Sequence, residues 1–293
     1  MTGAAGVVGT DLCHVLKSAG YNVCQTDLNC ETGIIHLDVR DIREVRSVII
    51  REHPELVIHL AAETDVDRCQ TDPDHAYRTN TVGTWNIALA CQKNDITMVY
   101  VSTAGVFDGE KTDPYVEFDE PNPVNIYGRA KLEGERLVAR LLSRYFIVRA
   151  AWMIGGGGKD KKFVGKIIRQ IDAGARELKA VNDKVGSITY SLDFSRCLAE
   201  LIKTDFYGLY HMANKGTCTR YDVARHVLNY LDKKDVKLDS VTSETFVLPA
   251  PRARSEKLRN YMLELREMDT MRNWRDALND YLEKHFSQFK HVA

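Results

Sequence analysis

Five short apolar runs rich in β-branched and aromatic residues, separated by longer stretches with apolar residues every three or four positions, leave this chain few folds to adopt. The runs cover residues 21–26, 34–38, 56–61, 98–102 and 146–149, and the stretches between cover 10–19, 42–52, 74–93 and 124–143. Strands this short and this apolar are buried on both faces, and parallel neighbours need a crossover, which the helices supply. The pattern predicts an α/β fold, a doubly wound parallel sheet with helices on both sides. Beyond about residue 150 the alternation breaks down, around Gly155-Gly156-Gly157-Gly158 and later Pro249 and Pro251. Residues 1–150 are read as the sheet domain, completed by part of 187–210, and 151–293 as mainly a smaller, irregular portion.

The order of short strands and helices makes the first glycines informative. Gly3, Gly6 and Gly9 stand in a G-x-x-G-x-x-G pattern directly before the first predicted helix, with Val7 and Val8 opening it. Such a loop brings the backbone close to a pyrophosphate, whose charge meets free N–H groups and the positive helix end. Residues 1–150 are thus expected to bind a dinucleotide. Asp27 closes the second run, where a carboxylate accepts hydrogen bonds from the adenosine ribose and repels a 2′-phosphate. The cofactor expected is NAD(H) or NADP(H), with NAD(H) favoured by Asp27. Asp38 and Val39, after the next run, are placed near the adenine. The bland alternative is that both aspartates cap turns.

One strand is missing from this pattern. The chain begins at Met1, immediately before the glycines, although a sheet of this kind places a central strand there. The expectation is a reading frame that starts several residues upstream, or a truncated chain.

A second constellation lies in the middle of the chain. Tyr127 and Lys131 are four residues apart and share one helix face. A neighbouring ammonium is expected to stabilise the phenolate and lower the tyrosine pKa, so that Tyr127 exchanges a proton with a carbonyl or alcohol oxygen, and Lys131 is expected, beside Tyr127, to hold the nicotinamide ribose of the cofactor as well. Thr103, at the end of the run after Ser102, is the third member, with its hydroxyl orienting the reacting oxygen. A Tyr-x-x-x-Lys spacing alone is often an exposed pair; the order of glycine loop, acidic strand end, Ser/Thr strand end and Tyr-x-x-x-Lys favours chemistry.

These residues resemble the extended short-chain dehydrogenase/reductases, which carry a Rossmann fold, and within them the dTDP-4-dehydrorhamnose reductases. The likeness covers the loop, Leu60-Ala61-Ala62 with Thr64, Val66 and Asp67, then Val101-Ser102-Thr103 and Pro123-x-Asn125-x-Tyr127-Gly128-x-x-Lys131. More specific are Val181-Asn182-Asp183-x-x-Gly186-x-x-Thr189-Tyr190 and Gly208-Leu209-Tyr210-His211. The resemblance implies reduction of the C4 ketone of a nucleotide-linked 6-deoxysugar, as in dTDP-rhamnose biosynthesis. Thr103, Tyr127 and Lys131 would be the catalytic trio, and Ala61 and Ala62 would line the cofactor groove. Thr64, Val66 and Trp152 would meet the sugar, and Arg252 the substrate diphosphate. The chain departs from the family at Ala104-Gly105, where the reductases usually carry Asp-Tyr, so the sugar pocket is expected to be roomier and less polar. Glu63, Asp65 and Ala253 are further departures.

Composition narrows the partners. A formal charge of -1 with 28% charged and 44% hydrophobic residues gives no electrostatic reason to bind nucleic acid or a membrane. A nucleotide sugar and a second copy of the chain, as a homodimer, remain. Seven cysteines without a C-x-x-C pair are read as reduced and mostly buried, in a cytoplasmic protein. No metal is expected, since His211 and His226 lack a ligand cluster. The stretch Lys159-Asp160-Lys161-Lys162 is read as a solvated loop, with a mobile lid as the alternative. Two other functions fit: an NAD-dependent sugar-nucleotide epimerase, and a non-catalytic regulatory subunit resembling that of methionine adenosyltransferase. A 4,6-dehydratase is rejected, because Ala104-Gly105 supplies no carboxylate beside Thr103.

Overall fold

The computed structural model describes residues 1–29 and 31–290. Its main sheet is parallel, with Gly208–His211, Tyr145–Ala150, Thr97–Thr103 and Leu56–His59 side by side in that order. Thr26–Asp27 and Ile35–His36 continue it. Thr2 joins the two parts, bridging Thr26 on one side and His59 on the other. Its N–H donates to Ile58 O at 3.0 Å, and Met1 O accepts from Thr26 N at 2.8 Å. Met1 and Thr2 therefore occupy the carboxyl end of the central strand position. Below them an apolar cavity opens between Cys24, Leu56, Val57, Val45 and Ile49.

Alternate residues of each strand face opposite helix layers. Val99, Phe146 and Val148 pack with Leu12 and Leu16 of helix Val7–Ser18 and with Phe194 and Leu198 of helix Ser191–Leu201. Met98, Tyr100 and Ile147 pack with Val45 and Ile49 of Ile42–Glu52, Ile87 and Cys91 of Gly83–Lys93, and Val138 of Ile126–Leu141. This is the doubly wound α/β sheet that the sequence predicts. In the second half, three small sheets surround a separate core that includes Ile188, Tyr190, Trp274 and Tyr281. The six described cysteines are free and five are buried; Cys30 lies outside the described residues. Among the described residues no helix is long and apolar enough to cross a membrane.

Two elements differ from the periodicity. Of residues 21–26 only Thr26 joins a ladder, pairing with Ile35 on one side and bridging Thr2 on the other. The stretch 74–93 is not one helix but Pro73–Tyr77, a π-turn at Arg78–Val82, and Gly83–Lys93. Within that turn, Asn80 turns inward and holds both backbone groups of Glu63, accepting from its N–H at 2.8 Å and donating to its carbonyl at 3.0 Å.

Candidate active site

The carboxyl ends of the parallel strands form one edge, where ligands of open α/β sheets bind. The glycine loop crosses this edge. Gly3 has φ +69°, and a Cβ there would lie 2.7 Å from Ala61 N, so the loop lies flat against the end of Leu56–His59. A Cβ on Gly9 would collide with Gly3 O and come within 2.6 Å of Ala4 O. Gly6 caps the following helix without a side-chain acceptor, and no acidic residue stands in its first turn. The helix therefore presents its first N–H groups, at half-buried Val7 and Val8, to an anion. These features fit a dinucleotide pyrophosphate. Asp27 lies beside them, its Oδ2 accepting from Ala5 N and its Oδ1 from Asn29 N, both at 3.0 Å.

Gly9→Ala tests this cradle. Alanine favours helix, so a purely local effect would stabilise; the clash with two carbonyls instead displaces the loop. Affinity for a nicotinamide dinucleotide, read by fluorescence titration, is expected to weaken by roughly tenfold or more.

The other cofactor candidates are placed less directly. The Asp38 carboxylate is bound by Arg40, with Nη2 to Oδ2 at 2.6 Å, and that hydrogen bond holds its pKa below the usual carboxylate value. Val39 is buried in the core against Gly83. Ala61 and Ala62 are half-buried behind the loop, and Ala61 N donates to Thr2 Oγ1. In the lysine-rich segment the three lysines are exposed, as a solvated loop would have them, and Asp160 alone is buried. Asp160 is 1% exposed and accepts from Lys162 N, Gly165 N and Tyr281 OH, while Lys159 Nζ lies 3.4 Å from Ala5 O on the glycine loop.

The sheet edge also holds the second constellation. Thr103 ends its strand, and its Oγ1 accepts from Gly105 N at 3.0 Å. Tyr127 and Lys131 lie in the first two turns of helix Ile126–Leu141, whose start is capped by Asn125 through Gly128 N at 2.9 Å. A Cβ on Gly128 would run into Gly105 O and lie 2.9 Å from Pro123 Cβ; glycine lets the helix press against the Thr103 turn. Tyr127 is half-buried, and its hydroxyl sits among protein atoms. Burial pushes its pKa up, the neighbouring Thr103 hydroxyl works the other way, and the charges of Glu256 and Glu63 add to the rise. Lys131 Nζ donates to Val101 O at 2.7 Å and lies 4.1 Å from the Tyr100 ring centroid; burial lowers its pKa to about 7. The expected cation-stabilised phenolate is thus not what this arrangement holds. The ammonium is spent on a carbonyl and a ring, and the desolvated phenol keeps its proton.

Of the substrate candidates, Thr64 is exposed with its Oγ1 3.3 Å from Lys162 Nζ, and Val66 opens helix Val66–Thr71. Arg252 crosses the cleft to Asp67, Nη2 to Oδ1 at 3.0 Å, and its Nη1 donates to Ala250 O. Trp152 is held on three sides. Arg220 stacks 3.7 Å above its ring, a Cβ on Gly186 would come within 2.6 Å of its Cε2 and Cζ2, and its Nε1 donates to Glu256 Oε2 at 2.5 Å. Arg220 and Glu256 were not among the sequence candidates. They sit on separate second-half elements, and no spacing in the sequence distinguishes them from surface charges. Nor is the pocket beside Ala104-Gly105 less polar, because the Glu256 carboxylate reaches it from strand Ser255–Glu256.

The family described as RmlD substrate binding domain matches residues 1–287. The chain belongs to this family. Its RmlD-type relatives include a spore coat polysaccharide biosynthesis protein of Bacillus subtilis, 33% identical over 98% of this chain and 97% of the relative. A dTDP-4-dehydrorhamnose reductase of Mycolicibacterium smegmatis is 34% identical over 96% of this chain and 83% of that protein. Among solved structures, a dTDP-4-dehydrorhamnose reductase of Clostridium acetobutylicum superposes with TM-score 0.90 at 38% identity, covering 97% of each chain. That of Bacillus anthracis, in complex with NADP, gives 0.88 at 33% identity over 97% of each. A UDP-glucose 4-epimerase of Thermus thermophilus gives 0.84 at only 19% identity, a likeness of fold shared by the RmlD family.

Proposed function

We propose that this chain reduces a nucleotide-linked 4-keto-6-deoxysugar with NADH or NADPH, as its dTDP-4-dehydrorhamnose reductase relatives are named for doing. The observation that carries the reading is the meeting, at one sheet edge, of an uncapped glycine-loop helix with the Thr103 strand end, against which Gly128 lets the Tyr127–Lys131 helix press. Bound reduced nicotinamide supplies the hydride. Gly3, Gly6, Gly9, Val7 and Val8 hold its pyrophosphate, and Ala61 and Ala62 wall the groove. Thr103 and Tyr127 together hold the carbonyl oxygen. Tyr127, kept protonated by burial, gives that oxygen its proton as it becomes an alkoxide. Lys131 anchors the catalytic helix to Val101 and positions the phenol. Trp152, Thr64 and Val66 bound the sugar, and Arg252 faces the diphosphate.

Asp27 favours NADH. Both its oxygens already accept from backbone amides, so it is rigidly placed to accept from ribose hydroxyls and to repel a 2′-phosphate. In Asp27→Ala the NADH-over-NADPH preference in kcat/KM is expected to fall about tenfold; an unchanged preference removes Asp27 from cofactor choice.

The deciding assay follows cofactor oxidation with a series of nucleotide-linked 4-ketosugars. Steady oxidation with one of them supports reduction. Interconversion of hexoses without added cofactor supports the epimerase reading instead, and no turnover with co-purification of an adenosyltransferase supports the regulatory one.

A further inference from the structure

Glu256 is half-buried on the short strand Ser255–Glu256, which pairs in parallel with Val185–Gly186. That pairing brings a C-terminal carboxylate to the mouth of the catalytic strand. Its two oxygens are unequal. Oε2 is fixed by Trp152 Nε1 at 2.5 Å, and Trp152 is itself held by Arg220 stacked at 3.7 Å. Oε1 has no hydrogen-bond partner among the described residues, and it faces the gap left by Gly105. A Cβ built on Gly105 would lie 3.4 Å from Thr103 Oγ1 and 3.8 Å from Glu256 Oε1, so both oxygens border the same small space. The Glu256 charge is also felt at the Tyr127 phenol.

An acceptor held this firmly beside the reacting end needs a donor. A carboxylate oxygen with no donor loses hydration without recompense when substrate closes the cleft. Thr103 and Tyr127 engage the carbonyl oxygen, so the space beside Gly105 adjoins the neighbouring sugar carbon. In a 4-ketohexose of the 6-deoxy class the hydroxyl-bearing neighbour is C3. Resting on the reduction reading above, we propose that Glu256 is a specificity-determining residue, accepting a hydrogen bond through Oε1 from the C3 hydroxyl of the ketosugar. Trp152 and Arg220 act as its positioning frame. The absent aromatic side chain at position 105 leaves the room in which that hydroxyl sits.

The test compares a thymidine-diphosphate-linked 4-keto-6-deoxyhexose bearing the C3 hydroxyl with its 3-deoxy counterpart, in wild type and Glu256→Gln. Glutamine keeps the shape and still accepts from Trp152. The wild type is expected to prefer the hydroxylated substrate by roughly 10- to 100-fold in kcat/KM, the value of a hydrogen bond to a charged group. In Glu256→Gln that preference shrinks about tenfold, because KM rises for the hydroxylated substrate and not for the 3-deoxy one, while any effect of the lost charge on kcat is shared by both. Equal losses on both substrates would mean a merely structural role, and an unaltered preference would overturn the proposal. Calorimetric binding of the same pair gives the ratio without turnover. If the wild type reduces neither sugar yet binds them with the Glu256-dependent ratio, the reduction reading fails and the recognition stands.

Discussion

Tyr127→Phe is expected to lower kcat by about 100- to 10,000-fold, the range lost when a positioned proton donor is removed. Affinity for the dinucleotide should change little, because the phenol hydroxyl is not part of the glycine-loop cradle. The size of the loss follows from the state of the phenol. Burial raises its pKa, so at neutral pH it carries the proton that the developing alkoxide requires. Lys131 adds a pH signature. Its ammonium is desolvated to a pKa of about 7, so it is charged below that pH and neutral above it. For the free enzyme, kcat/KM should therefore fall as pH rises through about 7, a limb that Lys131→Met abolishes along with most of the rate. Stopped or steady-state cofactor oxidation across pH 5.5–9 measures both. An unchanged rate in Tyr127→Phe excludes it as proton donor, however well the fold matches.

The sheet was legible because its physics is local. Apolar runs without a polar face can only be interior parallel strands, and helix Ile42–Glu52 was readable to the residue because Asp41 caps its start, accepting from Arg43 N, while His53 in a left-handed conformation ends it. The π-turn at Arg78–Val82 was not legible, since it depends on Asn80 reaching the Glu63 backbone from another element. The same division runs through the site. Gly3, Gly9, Thr103, Tyr127 and Lys131 lie in motifs whose spacing reflects their geometry. Arg220 and Glu256 reach Trp152 only after strands from residues 152–154, 185–190 and 255–256 have been laid together. The Tyr127 pKa was read in the wrong direction for a related reason: spacing shows that an ammonium is one turn away, but not that Val101 O claims it or that the phenol is desolvated.

Glu135→Gln should be the most destabilising single change in helix Ile126–Leu141. Glu135 and Arg149 form a bidentate pair, Nε to Oε1 at 2.9 Å and Nη2 to Oε2 at 2.7 Å, with side chains only 6% and 2% exposed. Arg149 also lies 5.1 Å from the Phe107 ring centroid and 3.5 Å from His211 Nε2. Burial and the Arg149 charge hold the His211 pKa near 3, so that imidazole stays neutral and offers no counter-charge problem. Removing the carboxylate charge leaves the guanidinium buried and under-compensated, which costs about 3 kcal/mol or more. The melting temperature should drop by roughly 5–10 °C. The pair also pins helix Ile126–Leu141 to strand Tyr145–Ala150, and Glu135 raises the Lys131 pKa against desolvation. Its loss therefore carries a second signature: the alkaline limb of kcat/KM moves below pH 7. Glu135→Leu with Arg149→Met, which removes both charges, should recover most of the stability but not the position of that limb. Calorimetry and a pH–rate profile on the same preparations separate the two effects, and a limb that stays near 7 in Glu135→Gln would show that Lys131 is not the group titrating there.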